Sequence, residues 1–297
     1  MILVVGSTGV LGRDVVRLLR AEGRPVRAMA RLPSKASDLA SLGAEVVQGD
    51  LVDPASLARA CAGATHVVAA AHGMLGSGRN RSEAVDDAGH RALVEAARAA
   101  GVAHFVYTSA LGASPDHPLD FFRTKYAVEQ YVKASGLCYT ILRPSAFMEW
   151  HAHAFNGKGI VERGKTTLLG RGTRPRNFVA VRDVAAMAVR ALAEPAMRGQ
   201  TIEIGGPQNF TDNQVAELYG RVLGVTPKVA HVPPALVRVA GVVLKPFAPG
   251  VSRVMRLSGL PDDAYDATFD PTATLQAYPM RLTTLEEFIR EKVKRDR

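Results

Sequence analysis

The chain has 297 residues, so it can bury a substantial core as one large domain or as one domain with a smaller lobe. Because 47% of the residues are hydrophobic, the composition argues against extended disorder. Lysine and arginine outnumber aspartate and glutamate by 37 to 28, a formal net charge of +9. These basic residues are spread along the whole chain without a basic-aromatic recognition motif. We therefore expect an anionic cofactor or substrate and no nucleic acid.

The sequence carries no signal for a membrane or for secretion. No uncharged apolar stretch reaches the roughly 18 residues of a transmembrane helix, and the first residues already predict a strand, which leaves no room for a signal peptide. Cys61 and Cys138 are too few for a disulfide framework and are interpreted as small core side chains. These features predict a cytoplasmic protein.

The first half of the sequence alternates short apolar strands with helices. The predicted strands are Ile2–Val5, Pro25–Ala30, Glu45–Gln48, His66–Ala71, His104–Thr108 and Tyr139–Leu142. The predicted helices are Val10–Ala21, a short segment ending at Leu39, Pro54–Cys61, Ser82–Ala100 and Phe121–Ser135. This alternation predicts an α/β fold with a Rossmann-type, doubly wound parallel sheet, whose ligand crevice lies at the carboxyl ends of the strands.

The alternation loosens beyond Pro144. Residues 156–172 are rich in Gly, Lys and Arg and predict loops or a hairpin. The later predicted elements are a strand at Asn177–Val179, a helix at Val184–Ala193, a sheet strand at Thr201–Ile204 and a helix at Thr211–Leu223 with Thr211 as its cap. We expect a dinucleotide-binding core over residues 1–150, joined by segments near 180–206, and a smaller, interleaved substrate lobe over 151–297.

The turn between the first strand and the first helix contains Gly6, Gly9 and Gly12. A strand, a glycine-rich turn and a helix in this order are the context of a dinucleotide site. The first glycine allows the tight turn, the second lets the backbone approach a pyrophosphate, and the third lets the helix pack on the strand. The amide groups of the first helical turn then face the phosphates.

Six motifs follow one another in a fixed order. They are Gly6-x-x-Gly9-x-x-Gly12, Arg31-x-Pro33-x-Lys35, Gly49-Asp50-Leu51, Val106-Tyr107-Thr108-Ser109, Leu142-Arg143-Pro144 and Asn177-Phe178-Val179-x-Val181-x-Asp183-Val184. Over the first three quarters of the chain they resemble the atypical short-chain dehydrogenase/reductase family, in its NmrA-like branch. The resemblance implies a Rossmann core that binds NAD(P)(H) and a small C-terminal substrate lobe. Members of this family include quinone and dye reductases, ether reductases, redox sensors and accessory subunits of the respiratory chain.

The resemblance also implies which residues bind the dinucleotide. They are Gly6, Thr8, Gly9, Val10, Leu11, Gly12, Asp50, Leu51, Ala70, Ala71, Lys125, Pro144 and Phe147. For Asp50, a role as a cap or turn residue is weighed equally with the family's adenine contact.

The end of the second strand indicates which dinucleotide is preferred. An NAD site usually has an acidic residue about 20 positions after the glycine turn, whereas this chain has Arg31, followed by Ser34 and Lys35. An arginine can hold a 2′-phosphate with two hydrogen bonds. We therefore expect NADP(H), with NAD(H) less favoured.

The catalytic position departs from the family pattern. Typical members have Tyr-x-x-x-Lys on the helix after the fifth strand, and the lysine lowers the pKa of the tyrosine for proton exchange with the substrate. Here Lys125 is present, but Phe121 stands in place of the tyrosine. Tyr126 lies about 100° around the helix from Lys125 and cannot take that role. Ser109, at the end of the fifth strand, is a second catalytic candidate.

Three interpretations remain open for this site. Lys125 itself acts as the acid or base, or the substrate is a quinone or dye that takes its proton from water, or the protein binds NADP(H) without turnover. We expect an NADPH-dependent reductase of a small, aromatic or quinone-like molecule. The alternative is a non-catalytic redox sensor or assembly factor.

Two further expectations concern metals and the C-terminal lobe. His151 and His153 lack nearby Cys, Asp or Glu ligands, so no metal is expected. Within residues 233–258, an apolar segment runs over 235–244; it is interrupted by Arg238 and ended by Lys245, and it is too short to span a bilayer. We expect residues 233–258 to line the substrate cleft, with a buried core helix and a docking surface as the competing interpretations. The sequence does not indicate the oligomeric state.

Overall fold

The structure, a computed structural model, describes residues 1–261 and 264–296. The chain divides into two compact units. The first contains residues 1–143 and 184–202, and the second contains residues 144–183 and the chain from Glu203 onward. The first segment of the first unit thus ends at Arg143, before the predicted boundary at residue 150. The predicted roles of the two units in cofactor and substrate binding stay predictions.

The first unit alternates strands and helices, as predicted. Its strands are β1 (Ile2–Val5), β2 (Val26–Ala30), β3 (Glu45–Gln48), β4 (His66–Ala69), β5 (His104–Thr108) and β6 (Tyr139–Pro144), the last of which reaches the boundary of the unit. Its helices are α1 (Val10–Ala21), α2 (Ser37–Ser41), α3 (Pro54–Cys61), α4 (His90–Ala99) and α5 (Asp120–Ala134). The strands consist mostly of apolar and β-branched residues, as expected for a sheet that is buried on both faces.

These strands form one seven-stranded sheet with the later strand β10 (Gln200–Ile204). The order is β10-β6-β5-β4-β1-β2-β3, and all neighbouring pairs from β3 to β6 are parallel. This is the strand order of a Rossmann fold, and it confirms the predicted fold class. β1 lies between β2 and β4, so the strand order reverses at β1, and a ligand crevice is expected at its carboxyl end.

The predicted helix over Ser82–Ala100 is wrong in its first half. Residues Glu83–Gly89 form a π-helix, and the α-helix begins only at His90. Gly89 lies so close to Leu51 that a Cβ atom there would approach the leucine Cβ to 2.9 Å. The wider π turn places the carboxylate of Asp86 inside the unit, fully buried. The predicted end of β4 is also two residues too long, since the strand ends at Ala69.

The second unit contains smaller sheets and short helices. Its remaining strands are β7 (Ala146–Phe147), β8 (Lys165–Leu169), β9 (Arg176–Val179), β11 (Asn209–Phe210) and β12 (Lys228–Val232). The helices after α5 are α6 (Lys158–Arg163), α7 (Val181–Ala191), α8 (Asp212–Leu223), α9 (Pro234–Val243), α10 (Pro249–Ser258), α11 (Thr272–Ala277) and α12 (Leu285–Asp296). α7 begins in the second unit and continues into the first. The strands form a three-stranded sheet, β11-β9-β7, and a parallel pair, β8 and β12.

The prediction of loops or a hairpin over residues 156–172 is wrong. A π-helix over Met148–Gly157 leads into α6, and β8 pairs with a strand about 60 residues later in the chain. Gly157 serves packing, because a Cβ atom there would collide with the ring of Tyr219, whereas Gly164, Gly170 and Gly172 have positive φ and lie in the turns that flank β8. The predicted helix cap at Thr211 is confirmed, since its hydroxyl accepts a hydrogen bond from the amide of Gln214 at 3.2 Å.

Asn177 and Asp183, from the last of the six motifs, brace the second unit. The Asn177 side chain accepts a hydrogen bond from the Gly206 amide at 2.7 Å and one from the Ser145 hydroxyl at 2.8 Å. The Asp183 carboxylate accepts from the amide and the hydroxyl of Thr283, at 2.7 and 2.9 Å. Both side chains are buried. These motif residues therefore hold segments that are distant in sequence.

Within residues 1–261 and 264–296, no helix is long and apolar enough to cross a membrane. The same residues contain no group of three His, Cys, Asp or Glu side chains arranged to hold a metal ion. The buried His153 instead shares a hydrogen bond with the Tyr219 hydroxyl at 3.0 Å. The cytoplasmic location stays a prediction.

Candidate functional site

The glycine turn lies at the carboxyl end of β1, where the strand order reverses. Gly6 has a φ of +84°, and a Cβ atom there would lie 2.6 Å from the Ala71 amide nitrogen. A Cβ atom on Gly12 would collide with the Gly6 carbonyl. Gly9 is the N-cap of α1. Each glycine thus has the conformation or the close packing that a dinucleotide turn requires.

The first turn of α1 provides amide donors for an anion. The amides of Val10, Leu11 and Gly12 have no acceptor within the helix, because an α-helix leaves its first N–H groups without carbonyl partners. Thr8, Gly9 and Val10 are exposed at this end, whereas Leu11 and Gly12 are buried. A pyrophosphate at this position would accept hydrogen bonds from the exposed end of the helix.

Two residues that the sequence analysis did not single out hold the turn in place. The buried Ser7 hydroxyl donates to the Met29 carbonyl on β2 at 2.8 Å. Arg13 forms an ion pair with Asp38 and donates to the Lys35 carbonyl at 2.7 Å and to the Thr8 carbonyl at 3.3 Å. The Arg13 guanidinium also holds the pKa of the Asp38 carboxyl below its usual value. Arg13 therefore ties the glycine turn to the segment after β2.

That segment carries the predicted 2′-phosphate residues. Arg31 follows β2 directly, and residues Pro33–Ala36 form one 3₁₀ turn that contains Ser34 and Lys35. All three polar side chains are exposed. Within the described part of the chain, the Arg31 guanidinium has no hydrogen-bond or carboxylate partner. Its donors are therefore available to an external phosphate.

The other predicted cofactor residues of the first unit lie at the same edge of the sheet. Ala70 follows β4 and donates its amide to the Val5 carbonyl at 2.9 Å, and Ala71 packs against Gly6. Asp50 follows β3, and its carboxylate accepts from the Val52 amide at 3.3 Å, so it stabilises its own turn. Leu51 is buried beside it. The structure brings these residues to the carboxyl ends of β1, β3 and β4, and their roles with a cofactor stay predictions.

Lys125 is buried within the first unit, on α5. Its ammonium donates to the Thr108 carbonyl at 3.1 Å and lies 3.9 Å from a carboxylate oxygen of Asp86. Only 3% of the lysine side chain is exposed. Burial lowers the pKa of Lys125, and the carboxylates of Asp86 and Glu129 oppose that shift. The lysine is thus not the solvated helix residue that its sequence position alone would allow.

The two buried carboxylates near Lys125 are themselves fixed. Asp86 accepts from the Gly73 amide at 2.9 Å and from the Ser82 hydroxyl at 2.5 Å. Glu129 accepts two hydrogen bonds from Arg143, at 2.6 and 2.9 Å. These contacts hold both carboxylates in place beside the lysine. One signal could have pointed to Glu129, since it lies one helical turn after Lys125.

Phe121 occupies the tyrosine position and has no hydroxyl. The centre of its ring lies 5.7 Å from the Lys125 ammonium nitrogen, and the centre of the Tyr107 ring lies 5.0 Å from the same nitrogen. Tyr107 does not replace the missing phenol, because it is completely buried and burial raises its pKa well above the ordinary value. Ser109, the other catalytic candidate, has a buried hydroxyl with no hydrogen-bond partner among the described residues.

Pro144 and Phe147, the last two predicted cofactor residues, belong to the second unit. Pro144 ends β6 and is buried, and Phe147 ends β7 and is partly exposed. The segment that was expected to line the substrate cleft forms the helices α9 and α10. Its Pro234, Arg238 and Leu257 line a cavity of about 410 Å³ within the second unit. The contact of this segment with a substrate stays a prediction.

Comparison with known proteins identifies the same fold and the family of the chain. A family model for NAD(P)H-binding proteins matches residues 6–195. The chain is 34% identical to the NAD(P)H azoreductase of Xenophilus azovorans over 225 residues, which are 75% of this chain and 74% of that protein. It is 26% identical to the photosystem II assembly factor Ycf39 of Trieres chinensis over 295 residues, 98% of this chain and 92% of that protein.

Among solved structures, the NADPH complex of an NADPH-dependent quinone oxidoreductase from Escherichia coli is similar over 98% of this chain and 99% of that chain, with a TM-score of 0.75 and 25% identity. A triphenylmethane reductase from Citrobacter sp. has the same fold, with a TM-score of 0.78, 24% identity and coverage of 99% of both chains. Given the glycine turn at the sheet's reversal point and the family match over more than half of its length, the chain belongs to the NAD(P)H-binding, NmrA-like branch of the atypical short-chain dehydrogenases/reductases.

Proposed function

We propose that this protein is an NADPH-dependent reductase that transfers a hydride to a small aromatic or quinone-like acceptor. The observation that carries the proposal is the buried, charged cluster of Lys125, Asp86 and Glu129, combined with Phe121 at the position of the usual phenol. A buried lysine facing a fixed carboxylate is costly to maintain, so such arrangements concentrate at functional sites. The azoreductase and quinone oxidoreductase relatives support this class of acceptor.

The first unit would hold NADPH through three groups of residues. The exposed amides at the start of α1 would bind the pyrophosphate, and Ala70 and Ala71 would border it. Arg31, with Ser34 and Lys35, would bind the 2′-phosphate. The glycine cradle, which a Cβ atom would fill, fits this ligand, and so does the Arg31 guanidinium, which has no hydrogen-bond or carboxylate partner among the described residues.

The residues present restrict the chemistry of the acceptor. When bound, NADPH supplies a hydride, and reduction of a carbonyl would also require a proton from a nearby phenol. Phe121 cannot supply that proton. A quinone or an azo compound accepts the hydride and takes its proton from water, so it needs no tyrosine. Lys125 would then position the cofactor ribose and favour the negative charge that develops on the acceptor.

Stopped-flow oxidation of bound NADPH tests the proposal against a panel of quinones, azo dyes and aldehydes. We expect turnover with quinones or azo dyes and background rates with aldehydes. Lys125→Met should lower the rate by about 100-fold, whereas Lys125→Arg should retain part of it if the charge is what matters. If Lys125 is itself the proton donor, the arginine variant should be as slow as the methionine variant, because arginine does not release a proton near neutral pH.

A second candidate function is a non-catalytic NADP(H) sensor or assembly factor. It is favoured by the relation to the Ycf39 assembly factor, which extends over almost the whole length of both chains. Under this alternative, NADPH would bind stoichiometrically and the bound cofactor would stay reduced with every acceptor of the panel. The same experiment therefore separates the two functions.

A further inference from the structure

Helices α9 and α10 expose a large apolar surface. The side chains that form it, here called the hairpin face, have exposed fractions of 45% to 83%. They are Leu236, Val239, Val242, Val243, Phe247 and Val251. The most exposed are Phe247, at 83%, and Val242, at 71%. Single exposed apolar residues are ordinary, but a contiguous group on one element marks an interaction site.

The spacing within α9 shows that three of these residues form a continuous stripe. Leu236, Val239 and Val243 are separated by three and four positions, so they lie on one side of the helix. The opposite side carries Val237 and Gly241, which are both buried. α9 is therefore apolar on two sides, and only one of them is covered by the rest of the described chain.

The two helices form an ordered hairpin. The Ser252 hydroxyl on α10 donates to the Gly241 carbonyl on α9 at 2.6 Å. A Cβ atom on Gly241 would lie 3.0 Å from the Arg256 side chain, so glycine at this position permits the close approach of the helices. The turn between them is closed by hydrogen bonds from Phe247 and Ala248 to the Leu244 carbonyl, at 3.2 and 2.8 Å. The apolar side chains are thus presented on a defined surface.

The charge of the hairpin indicates what covers this face. Residues 234–260 contain four basic residues and no acidic one. Arg238 and Lys245 are exposed, and Lys245 stands two positions before Phe247 at the tip. A second copy of the same face would bring like charges together in a two-fold contact. An anionic surface into which apolar side chains can insert is complementary to the hairpin face, because it has the opposite charge and also covers the apolar side chains.

We propose that the hairpin face docks the protein on the surface of a bilayer that contains anionic phospholipids. Phe247 and the apolar stripe of α9 would enter the boundary between headgroups and acyl chains, and Lys245 would contact the lipid phosphates. At ten residues, α9 is about 15 Å long, too short to cross the bilayer, so the protein would lie on the membrane. This inference does not depend on the proposed hydride transfer.

Sedimentation with vesicles tests the proposal on the full chain with NADPH bound. Vesicles of phosphatidylglycerol and phosphatidylcholine in equal parts should bind the protein, and pure phosphatidylcholine should bind it weakly. Because about 1 kcal/mol per basic residue is gained at an anionic surface, Lys245→Glu should weaken binding at least fivefold. The double variant Val243→Ser/Phe247→Ser should weaken it by more than about tenfold. All three positions are exposed, so the folded state should be retained.

The matched control is Leu42→Ser/Val225→Ser, which removes two exposed apolar side chains outside the hairpin. This control should sediment like the unchanged protein. Light scattering without vesicles gives the oligomeric state. The proposal is overturned if the unchanged protein does not sediment with the anionic vesicles, or if the control and hairpin variants bind equally. It is also overturned if the hairpin variant only converts a dimer into a monomer, because a second copy would then cover the face.

Discussion

Replacing Arg31 with alanine should remove most of the preference for NADPH over NADH. The Arg31 side chain is exposed directly after β2, and its guanidinium has no partner within the described part of the chain. The substitution therefore breaks no hydrogen bond or ion pair among the described residues. Any change in cofactor affinity then reports the contact between the guanidinium and the 2′-phosphate, which NADH lacks.

The magnitude follows from the exposure of this side chain. A hydrogen bond between charged groups contributes about 1.5–3 kcal/mol, and a solvent-exposed contact lies near the lower end because salt screens it. About 1.5 kcal/mol corresponds to a roughly tenfold change in Kd. The NADPH dissociation constant should therefore rise about tenfold in Arg31→Ala, while that of NADH should stay unchanged.

Titration calorimetry with both cofactors measures the two constants. Arg59→Ala, which removes an exposed arginine from α3, controls for the loss of one positive charge. Raising the salt concentration should reduce the preference of the unchanged protein and leave Arg31→Ala almost unaffected. Equal affinities of the unchanged protein for the two cofactors, or an unchanged ratio in Arg31→Ala, would show that the assignment of the 2′-phosphate site is wrong.

Three further predictions follow from the first unit. Phe121→Tyr restores the phenol beside Lys125, so aldehyde reduction should rise above background; an unchanged rate with normal NADPH binding would show that no carbonyl is presented there. Gly12→Ala should abolish cofactor binding and destabilise the fold, because the added Cβ atom collides with the backbone. The control Gly23→Ala, in open space with a φ of +71°, should lower the free energy of unfolding by only about 1–2 kcal/mol and leave cofactor binding intact. Calorimetry measures cofactor binding, and urea unfolding measures stability. Burial lowers the pKa of His104 from 6.5 to about 4. As the pH falls between these values, the unfolded chain gains a proton that the native chain does not, so the free energy of unfolding should fall by up to about 1.4 kcal/mol per pH unit. In urea unfolding between about pH 6.5 and pH 4, His104→Asn should lose less stability than the unchanged protein, and an equal loss would contradict the lowered pKa of His104.

The core of the first unit could be predicted because its signals are local. Each parallel strand is a short apolar run, and each helix is separated from the next strand by glycine or a capping residue. Asp53 illustrates this, since its carboxylate accepts from the Ala55 and Ser56 amides at the start of α3. The glycine turn could be located for the same reason, because its conformation depends on residues within one strand, one turn and one helix.

The features that were missed depend on contacts between distant residues. The pairing of β8 with β12 leaves no mark in the composition of residues 156–172, which resemble a loop. The π-helical turn that places Asp86 near Lys125 arises from packing of Gly89 against Leu51. Arg13 lies in an ordinary helix position, and only the fold reveals that it holds the Lys35 carbonyl. Sequence reasoning could name the lysine, but not the carboxylate that faces it.

The chain leaves the first unit after Arg143, returns at Val184 and leaves it again after Ile202. The edge strand β10 is therefore synthesised about 60 residues after its neighbour β6. On the ribosome, the central sheet stays incomplete until the whole first segment of the second unit, residues 144–183, has emerged. Pairing strands that are this far apart requires closing a long loop, which slows folding and leaves the edge of β6 open to association with other chains. A fragment that stops near residue 150 would lack β10, and we expect it to aggregate during expression although it contains every glycine of the nucleotide turn.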